Sequence, residues 1–440
     1  MSSHTKFVPT SKAAQWFESR LPILGVAHEF LTFPTPRNLN YFWTFGGILA
    51  VMLVMQIVTG IILAMHYVPD TKLAFESVQA IRRDVNFGWL LQSMHANGAT
   101  MFFIAVYVHM FRGLFFGSYK QPREVLWILG VIILLLMMAT AFMGYVLPYG
   151  QMSGWGATVI TNFFTAIPVV GADALVWLRG GYTIDQATLN RFFSLHFLMP
   201  FMIFGVVFLH IWALHVVGNN NPTGISVKTN KDTVPFHPYM TIKDSVALVG
   251  FAIFFAMFIF YMPDFFGDAD NYVEFNSLKT PAHIKPEWYF LPFYAILRAV
   301  TFTLFGLPAT LYGLLAMFGS IAILAFLPWL DTSKIRSTSY RPAYKIFFAL
   351  FVVACLILGY CGSQPTDKAV LEIGGKVVLD MTGLAQIFTL YYFAHFLVVL
   401  PLLGLFEKPL KLPASIADSV LIKGGYGMPQ GAAAAPNTKG

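Results

Sequence analysis

Residues 95–109 read HANGATMFFIAVYVH and residues 196–210 read HFLMPFMIFGVVFLH, each an apolar run opened and closed by a histidine. Fourteen residues of α-helix rise about 21 Å and turn through about 1400°, roughly 40° short of four turns. Within each run both histidines therefore lie on one helix face at two depths. An apolar run of about 20 residues is long enough to cross a bilayer, and an ionisable side chain inside one is costly enough to mark function. Two runs sharing one spacing argue against four unrelated packing histidines.

The rest of the chain agrees with lipid. Of 440 residues, 57% are hydrophobic and 11% charged, against the roughly 25% charged of a soluble domain. A water-soluble globular protein is excluded. Apolar runs near 42–66, 94–117, 125–147, 192–217, 245–263, 309–330, 344–362 and 382–406 predict eight membrane spans in an all-α fold. The reading divides the chain into an N-terminal amphipathic segment over 1–37, a four-helix bundle with surface loop helices over 38–220, a second four-span region over 221–410 and a tail over 411–440. The polar start has no secretory core and is expected to be retained. Cys355 and Cys361 belong to no disulfide or covalent-haem pattern. The net charge of +7 is spread too thinly for a nucleic-acid partner. If the chain weaves through the eight spans, the termini and even-numbered loops carry 18 of the 28 Lys and Arg residues, and the odd loops hold 13 of the 21 acids. That bias places both termini on the cytoplasmic or matrix side.

In this topology the second and fourth spans run in the same direction. His95 is then level with His196 toward the outer face, and His109 with His210 toward the inner. Opposed imidazoles at one depth suit the two axial positions of a porphyrin iron, which predicts two stacked b-type haems with His95, His196, His109 and His210 as iron ligands. Two ions of another metal would lack cysteine or carboxylate ligands to complete their shells. Gly46 and Gly60 in the first span, and Gly130 and Gly144 in the third, repeat the interval of fourteen. Glycine there lets a flat ring approach the backbone. Arg112, one turn after His109, suits either a haem propionate or a snorkelling position at the membrane interface.

Longer motifs carry a resemblance. MHANGATMFF at 94–103, ATAFMGYVLPYGQMSGWGATVITN at 139–162, RFFSLHFLMPF at 191–201, NNNPTG at 219–224, FHPYMTIKD at 236–244, GDADNY at 267–272, TPAHIKPEWYFLPFYAILR at 280–298 and TSKIRS at 332–337 closely resemble the cytochrome b subunits of ubiquinol:cytochrome c oxidoreductases (complex III), in their bacterial form. The resemblance runs from about residue 30 to 410. It implies a low-potential haem on His95 and His196, a high-potential haem on His109 and His210, and ubiquinol and ubiquinone as substrates. It further implies a quinol-oxidation site at Pro286, Glu287, Trp288 and Tyr289, with Tyr145, Gly156 and Tyr294 lining the same pocket, and a quinone-reduction site at His215, Asn219, Lys243 and Asp244. The implied partners are a Rieske iron–sulfur subunit, a membrane-anchored c-type cytochrome and a second copy of the complex. The expected location is a bacterial cell membrane, with the mitochondrial inner membrane as the alternative.

Chemistry supports these roles. Quinol oxidation releases protons, and Glu287 in a loop is a sensible acceptor; quinone reduction takes protons up. Three positions depart from the family pattern: Gln92 stands where an arginine usually precedes the first histidine, Tyr149 replaces a tryptophan and Gly154 a phenylalanine. The first predicts a lower potential for the outer haem. Two rival readings have distinct signatures. A transporter with a histidine relay would show internal repeats and broken helices, which the sequence lacks, and a haem-bearing anchor without a quinol site would be indifferent to Glu287.

Overall fold

The computed structural model describes residues 7–421. Among these, eight helices are long and apolar enough to cross a membrane: Tyr41–Ala64, Gly88–Phe116, Glu124–Val146, Gln186–Val217, Phe236–Phe260, Ala309–Leu330, Pro342–Ser363 and Met381–Phe406. With no water in the hydrocarbon, a backbone must satisfy its own polar groups, and a helix does so within one segment. The eight expected spans are therefore present. Three of them begin about a turn or more earlier than their apolar runs suggest. The second starts at Gly88 and the fourth at Gln186, where Asp185 accepts from the Gln186 amide; polar end turns such as these project beyond an apolar stretch without breaking the helix.

The first span packs on the second and the third on the fourth, and the first also meets the fourth. These four helices enclose the histidines. A loop helix, Leu291–Ala299, is wedged among the last three spans. An added Cβ at Gly313 would strike the Leu297 carbonyl, and one at Gly362 the Leu291 carbonyl. Two glycines thus admit the backbone that follows Glu287.

The loops at the two ends differ in charge. At the acidic end, helices Ala74–Asp84, Gln151–Asn162 and Gly171–Arg179 cover the bundle. Arg179 ties the last two together, donating to Thr161 Oγ1 (2.8 Å), Asn162 Oδ1 (2.9 Å) and the carbonyls of Thr158 (2.9 Å) and Tyr182 (3.0 Å). Asn271 Oδ1 accepts from the Ser153 amide at 2.9 Å, and Gln151 Oε1 from the Asn276 amide at 2.9 Å, fastening the loop after the fifth span. At the basic end, strand Pro34–Pro36 pairs antiparallel with Thr233–Pro235. The start of the expected tail is ordered here: the Ala417 amide donates to Asp232 Oδ1 at 2.9 Å and Lys228 to the Ala414 carbonyl at 2.7 Å. Residues 422–440 of that tail, and residues 1–6, lie outside the described residues.

Neither the strand pair at Pro34–Pro36 nor a second one is part of the all-α expectation. Strands Ala369–Ile373 and Lys376–Asp380 form a hairpin before the eighth span. Its turn is Gly374-Gly375, both at positive φ (60° and 76°), the Gly-Gly signature of a two-residue hairpin loop.

Candidate functional site

The four span histidines form two facing pairs. The rings of His95 and His196 have centroids 6.1 Å apart and those of His109 and His210 6.5 Å apart. A metal held between two imidazoles at about 2 Å from each nitrogen, with each ring centre roughly 1.1 Å further back, separates the centroids by about 6.3 Å. Both pairs match that separation. Among the described residues no group of three or more His, Cys, Asp or Glu side chains could hold a metal ion. Each pair therefore brings two imidazoles face to face with no third His, Cys, Asp or Glu donor among the described residues, an arrangement that could take the two axial positions of a haem iron.

The four glycines explain the ring positions. An added Cβ at Gly46 would lie 3.5 Å from His109 Cε1, one at Gly60 3.1 Å from His95 Cε1, and one at Gly130 3.4 Å from His210 Cε1. At Gly144 it would strike the His196 ring. Each of the four glycines thus seats one imidazole against a neighbouring helix. The glycines make room for the imidazoles, beside the room for a flat ring that the sequence suggests.

Hydrogen bonds select the nitrogen that faces the partner ring. His196 Nδ1 donates to the Thr140 carbonyl at 2.8 Å. The Thr59 hydroxyl donates to the Met55 carbonyl at 2.7 Å, so its oxygen accepts from His95 Nδ1 at 2.9 Å. In both residues Nε2 keeps its lone pair for a metal, the outer-shell device common to ligating histidines. His210 Nδ1 is buried without a partner. Arg112 Nη2 lies 3.1 Å from His109 Nδ1. Since arginine only donates, Nε2 ligation by His109 requires Arg112 to turn away. Arg112 also lies over the Trp43 ring at 5.3 Å, its Nε is buried without a partner, and no carboxylate pairs with it among the described residues. A half-buried cation in this state suits an anionic ligand edge.

A cavity of about 350 Å³ begins at Gly60, His95, Gly144 and His196 and reaches Tyr145, Tyr289 and Glu287. Its size is that of a ligand site. Burial pushes the Glu287 carboxyl up to about 7, with Asp268 adding to the effect and the Tyr145 hydroxyl and Lys285 opposing it. The segment after Glu287 is pinned to the second span. Tyr289 stacks on Phe103 with centroids 3.9 Å apart and planes 2° from parallel, its carbonyl accepts from the Tyr107 hydroxyl at 2.6 Å, and Trp288 Nε1 donates to Thr100 Oγ1 at 3.3 Å.

Four residues expected in this pocket, Pro286, Trp288, Tyr294 and Gly156, stand outside its wall. Tyr294 is turned away, with the Arg298 guanidinium 4.3 Å from its ring. Gly156 has nothing within 4 Å of where a Cβ would be. Gly154 has a packing role: a Cβ there would collide with the Phe275 ring, which also packs edge-on against Tyr149 at 5.3 Å. The two departures from the family pattern in this stretch thus accommodate one aromatic ring.

At the basic end the expected residues each contact other parts of the fold. His215 Nδ1 bonds the Ile211 carbonyl at 2.8 Å, and its ring packs between Phe30 (4.9 Å) and Phe33 (4.7 Å). Lys243 donates to the Leu39 carbonyl at 2.7 Å. Asp244 lies beside Gly47 of the first span, and its Oδ1 is buried without a partner. Asn219 follows the fourth span. The sequence reading missed Thr59 and Tyr107, since a lone hydroxyl in an apolar helix usually bonds its own backbone, and missed Arg82, whose wall position depends on a loop.

Comparison with known proteins agrees with this geometry. The family described as cytochrome b/b6/petB matches residues 30–218, and that described as cytochrome b(C-terminal)/b6/petD matches residues 274–393. The cytochrome b of Rhodospirillum rubrum is 58% identical over 411 residues, 93% of this chain and 97% of that protein. The cytochrome b/c1 of Bradyrhizobium diazoefficiens is 59% identical over 426 residues, and the match takes in 97% of this chain but only 59% of that longer relative. In solved structures, a chain of a hyperthermophilic respiratory complex III superposes with a TM-score of 0.80 at 32% identity, covering 90% of this chain and 99% of its own length. Two facing histidine pairs in an eight-span helical fold, matched over nearly the whole chain, make this a haem-binding electron-transport protein of the membrane that belongs to the cytochrome b family of respiratory complex III.

Proposed function

We propose that this chain is the two-haem subunit of a bacterial quinol:cytochrome c oxidoreductase, which oxidises ubiquinol beside Glu287 at the acidic, outer end and reduces quinone near His215 and Asp244 at the basic, inner end. The observation that carries the reading is the single cavity reaching from the His95 and His196 rings to Glu287. His95 and His196 would hold one b haem and His109 and His210 the other. When bound, the haems supply two one-electron carriers at different depths, while the protein orients and tunes them.

The chain's own residues account for the protons. Glu287, poised near 7, takes a proton from a quinol hydroxyl and passes it toward the acidic end, since a general base works best with a pKa near the operating pH. Tyr145 faces the carboxylate across the cavity, and the pinned Pro286, Trp288 and Tyr289 hold the loop that carries it. At the inner end, Asp244 and His215 hand protons to the reduced quinone, while Asn219 and Lys243 position its oxygens. Arg112 would pair with a haem carboxylate in place of His109. Release of protons at one end and uptake at the other makes the reaction electrogenic. The reading requires a Rieske iron–sulfur subunit, a membrane-anchored c-type cytochrome and a second copy of the complex, with both termini in the cytoplasm.

A redox titration of the visible spectrum, on the complex with His196 intact and with His196→Leu, tests the proposal. Two b components at different potentials are expected in the intact protein, and the substitution should remove one and spare the other. Retention of both after the substitution would overturn the ligand assignment. A folded protein without haem would overturn the function and favour a transporter.

A further inference from the structure

We infer that Arg82 is the cation that balances the carboxylates of the haem held by His95 and His196, and so sets that haem's reduction potential. The inference rests on the two-haem reading above. The cavity wall is divided. On the membrane side it is apolar, with Leu53, Ile57, Phe102, Met137, Phe201 and Ile203; toward the acidic end it is polar, with Gln79, Arg82, Gln92, Asp264, Asp268 and Asn271. A b-type haem is divided in the same way, an apolar macrocycle with two carboxylates on one edge. A charge is tolerated only where it is paired or hydrated, so that edge must face the polar end.

At that end Arg82 is the one Lys or Arg side chain among the described wall residues, which also include Asp264, Asp268 and Glu287; its own carboxylate contact is Asp264. Gln92, three residues before His95, reaches the same wall without a charge. Of the ionised wall residues, all but Arg82 would therefore repel two further carboxylates, and Lys285, off the wall, is paired with Asp268 at 3.7 Å. The residue is held for the task. Its helix, Ala74–Asp84, packs on the second span. Its guanidinium donates to the Tyr272 hydroxyl at 3.2 Å and to Asp264 Oδ1 at 3.3 Å, and its side chain is 25% exposed. Those contacts use two of five N–H donors, and Asp264 is itself 56% exposed, so donors remain for an anion. Tyr272 also donates to Asp264 at 2.5 Å, which keeps that carboxylate as a brake on the charge Arg82 presents.

The sign follows from electrostatics. Reduction adds an electron to the haem, and a nearby cation favours the reduced form. Arg82→Gln in the intact complex should shift the reduction equilibrium of the His95/His196 haem about tenfold toward the oxidised form, about 59 mV for a one-electron couple, and leave the His109/His210 haem unmoved. Arg82→Lys should stay near the parent. Asp264→Asn, which frees Arg82 from its acidic partner, should shift the same haem the opposite way. Both haems are followed by visible redox titration, with His196→Leu identifying the component concerned. Unchanged potentials with both haems retained, equal shifts of both, or Asp264→Asn moving with Arg82→Gln would overturn the inference. If Arg82→Gln does not assemble, the lysine and asparagine variants still decide the sign. Absence of a second b component from the parent protein would instead overturn the two-haem reading.

Discussion

The molecule buries charge at both ends, and the two ends treat it differently. At the basic end Asp331 Oδ2 receives Lys120 Nζ at 2.8 Å, Arg341 Nη1 at 2.9 Å and the Tyr119 hydroxyl at 2.6 Å, while Arg341 Nε reaches Glu407 at 3.0 Å. Two cations meet two anions, and the side chains of Asp331 and Arg341 are 0% exposed. This cluster joins the loop after the second span to the ends of the sixth and eighth and the start of the seventh. At the acidic end Glu287 faces a cavity, its nearest cation Lys285 is paired instead with Asp268 at 3.7 Å, and its carboxyl is pushed up to about 7 by burial. A charge whose partners are all protein serves the fold. One left short of partners beside a cavity is available for chemistry.

The comparison breaks most sharply if the partners are removed. Asp331→Leu strands Lys120 and leaves Arg341 with Glu407 alone, and losing one member of a buried ionic group costs about 3–5 kcal/mol; the amount of assembled, haem-containing protein should collapse. Glu287→Gln should leave assembly intact and lower quinol oxidation by about 10²–10⁴-fold, the usual contribution of a general base. Membrane haem content and quinol oxidation rate, measured together on both variants, separate the two classes. The pH profile sharpens the contrast. With its carboxyl raised to about 7, Glu287 is neutral below that value and becomes a competent base above it. Activity in the parent should rise through about pH 7, and the step should vanish in Glu287→Gln. Stability runs the other way: a carboxyl held above its unfolded pKa stabilises the protonated fold, a contribution lost as pH climbs from the ordinary glutamate range through 7.

A smaller test concerns the glycines. Gly144→Ala drives a methyl into the His196 ring, whereas Gly130→Ala brings one to 3.4 Å from His210 Cε1, a distance a slight shift relieves. Haem retention followed by visible spectroscopy should show the His95/His196 component lost or shifted in the first variant and the His109/His210 component kept in the second. Equal effects would mean that the glycines serve general helix packing.

What the sequence made legible was local. Eight spans, two histidine pairs and four glycines follow from runs and intervals along single helices, and the structure realises each of them. What stayed hidden joins distant segments. Tyr119 and Asp331 are 212 residues apart, Tyr107 and Tyr289 are 182 apart, and Arg82 and Asp264 are 182 apart. No periodicity links such residues, because their encounter depends on how spans pair and where loops return. Tyr294 illustrates the same limit: its motif places it near Glu287 in sequence, and the stack beneath Arg298 turns it away from the cavity. The hairpin at Ala369–Asp380 went unread despite its Gly-Gly turn, because its strands sit between two spans and merge with them by composition.

The mildest test lies inside the ionic cluster. Tyr119→Phe removes one donor from Asp331, which keeps Lys120 and Arg341. A carboxylate still served by two cations is not stranded, so the loss should be that of one net hydrogen bond to a charged acceptor, about 1.5–3 kcal/mol at most. Thermal unfolding of the purified complex should record that small drop, with both haem potentials and the quinol oxidation profile unchanged. A shift in either potential would mean that the cluster reaches the Arg112 and His109 region electrostatically, and the division between structural and chemical charge would then fail at the basic end. Invariance would show that three partners on Asp331 insulate the fold from the electron path, as the hydroxyl at Tyr145, facing a carboxylate with no cation of its own, cannot.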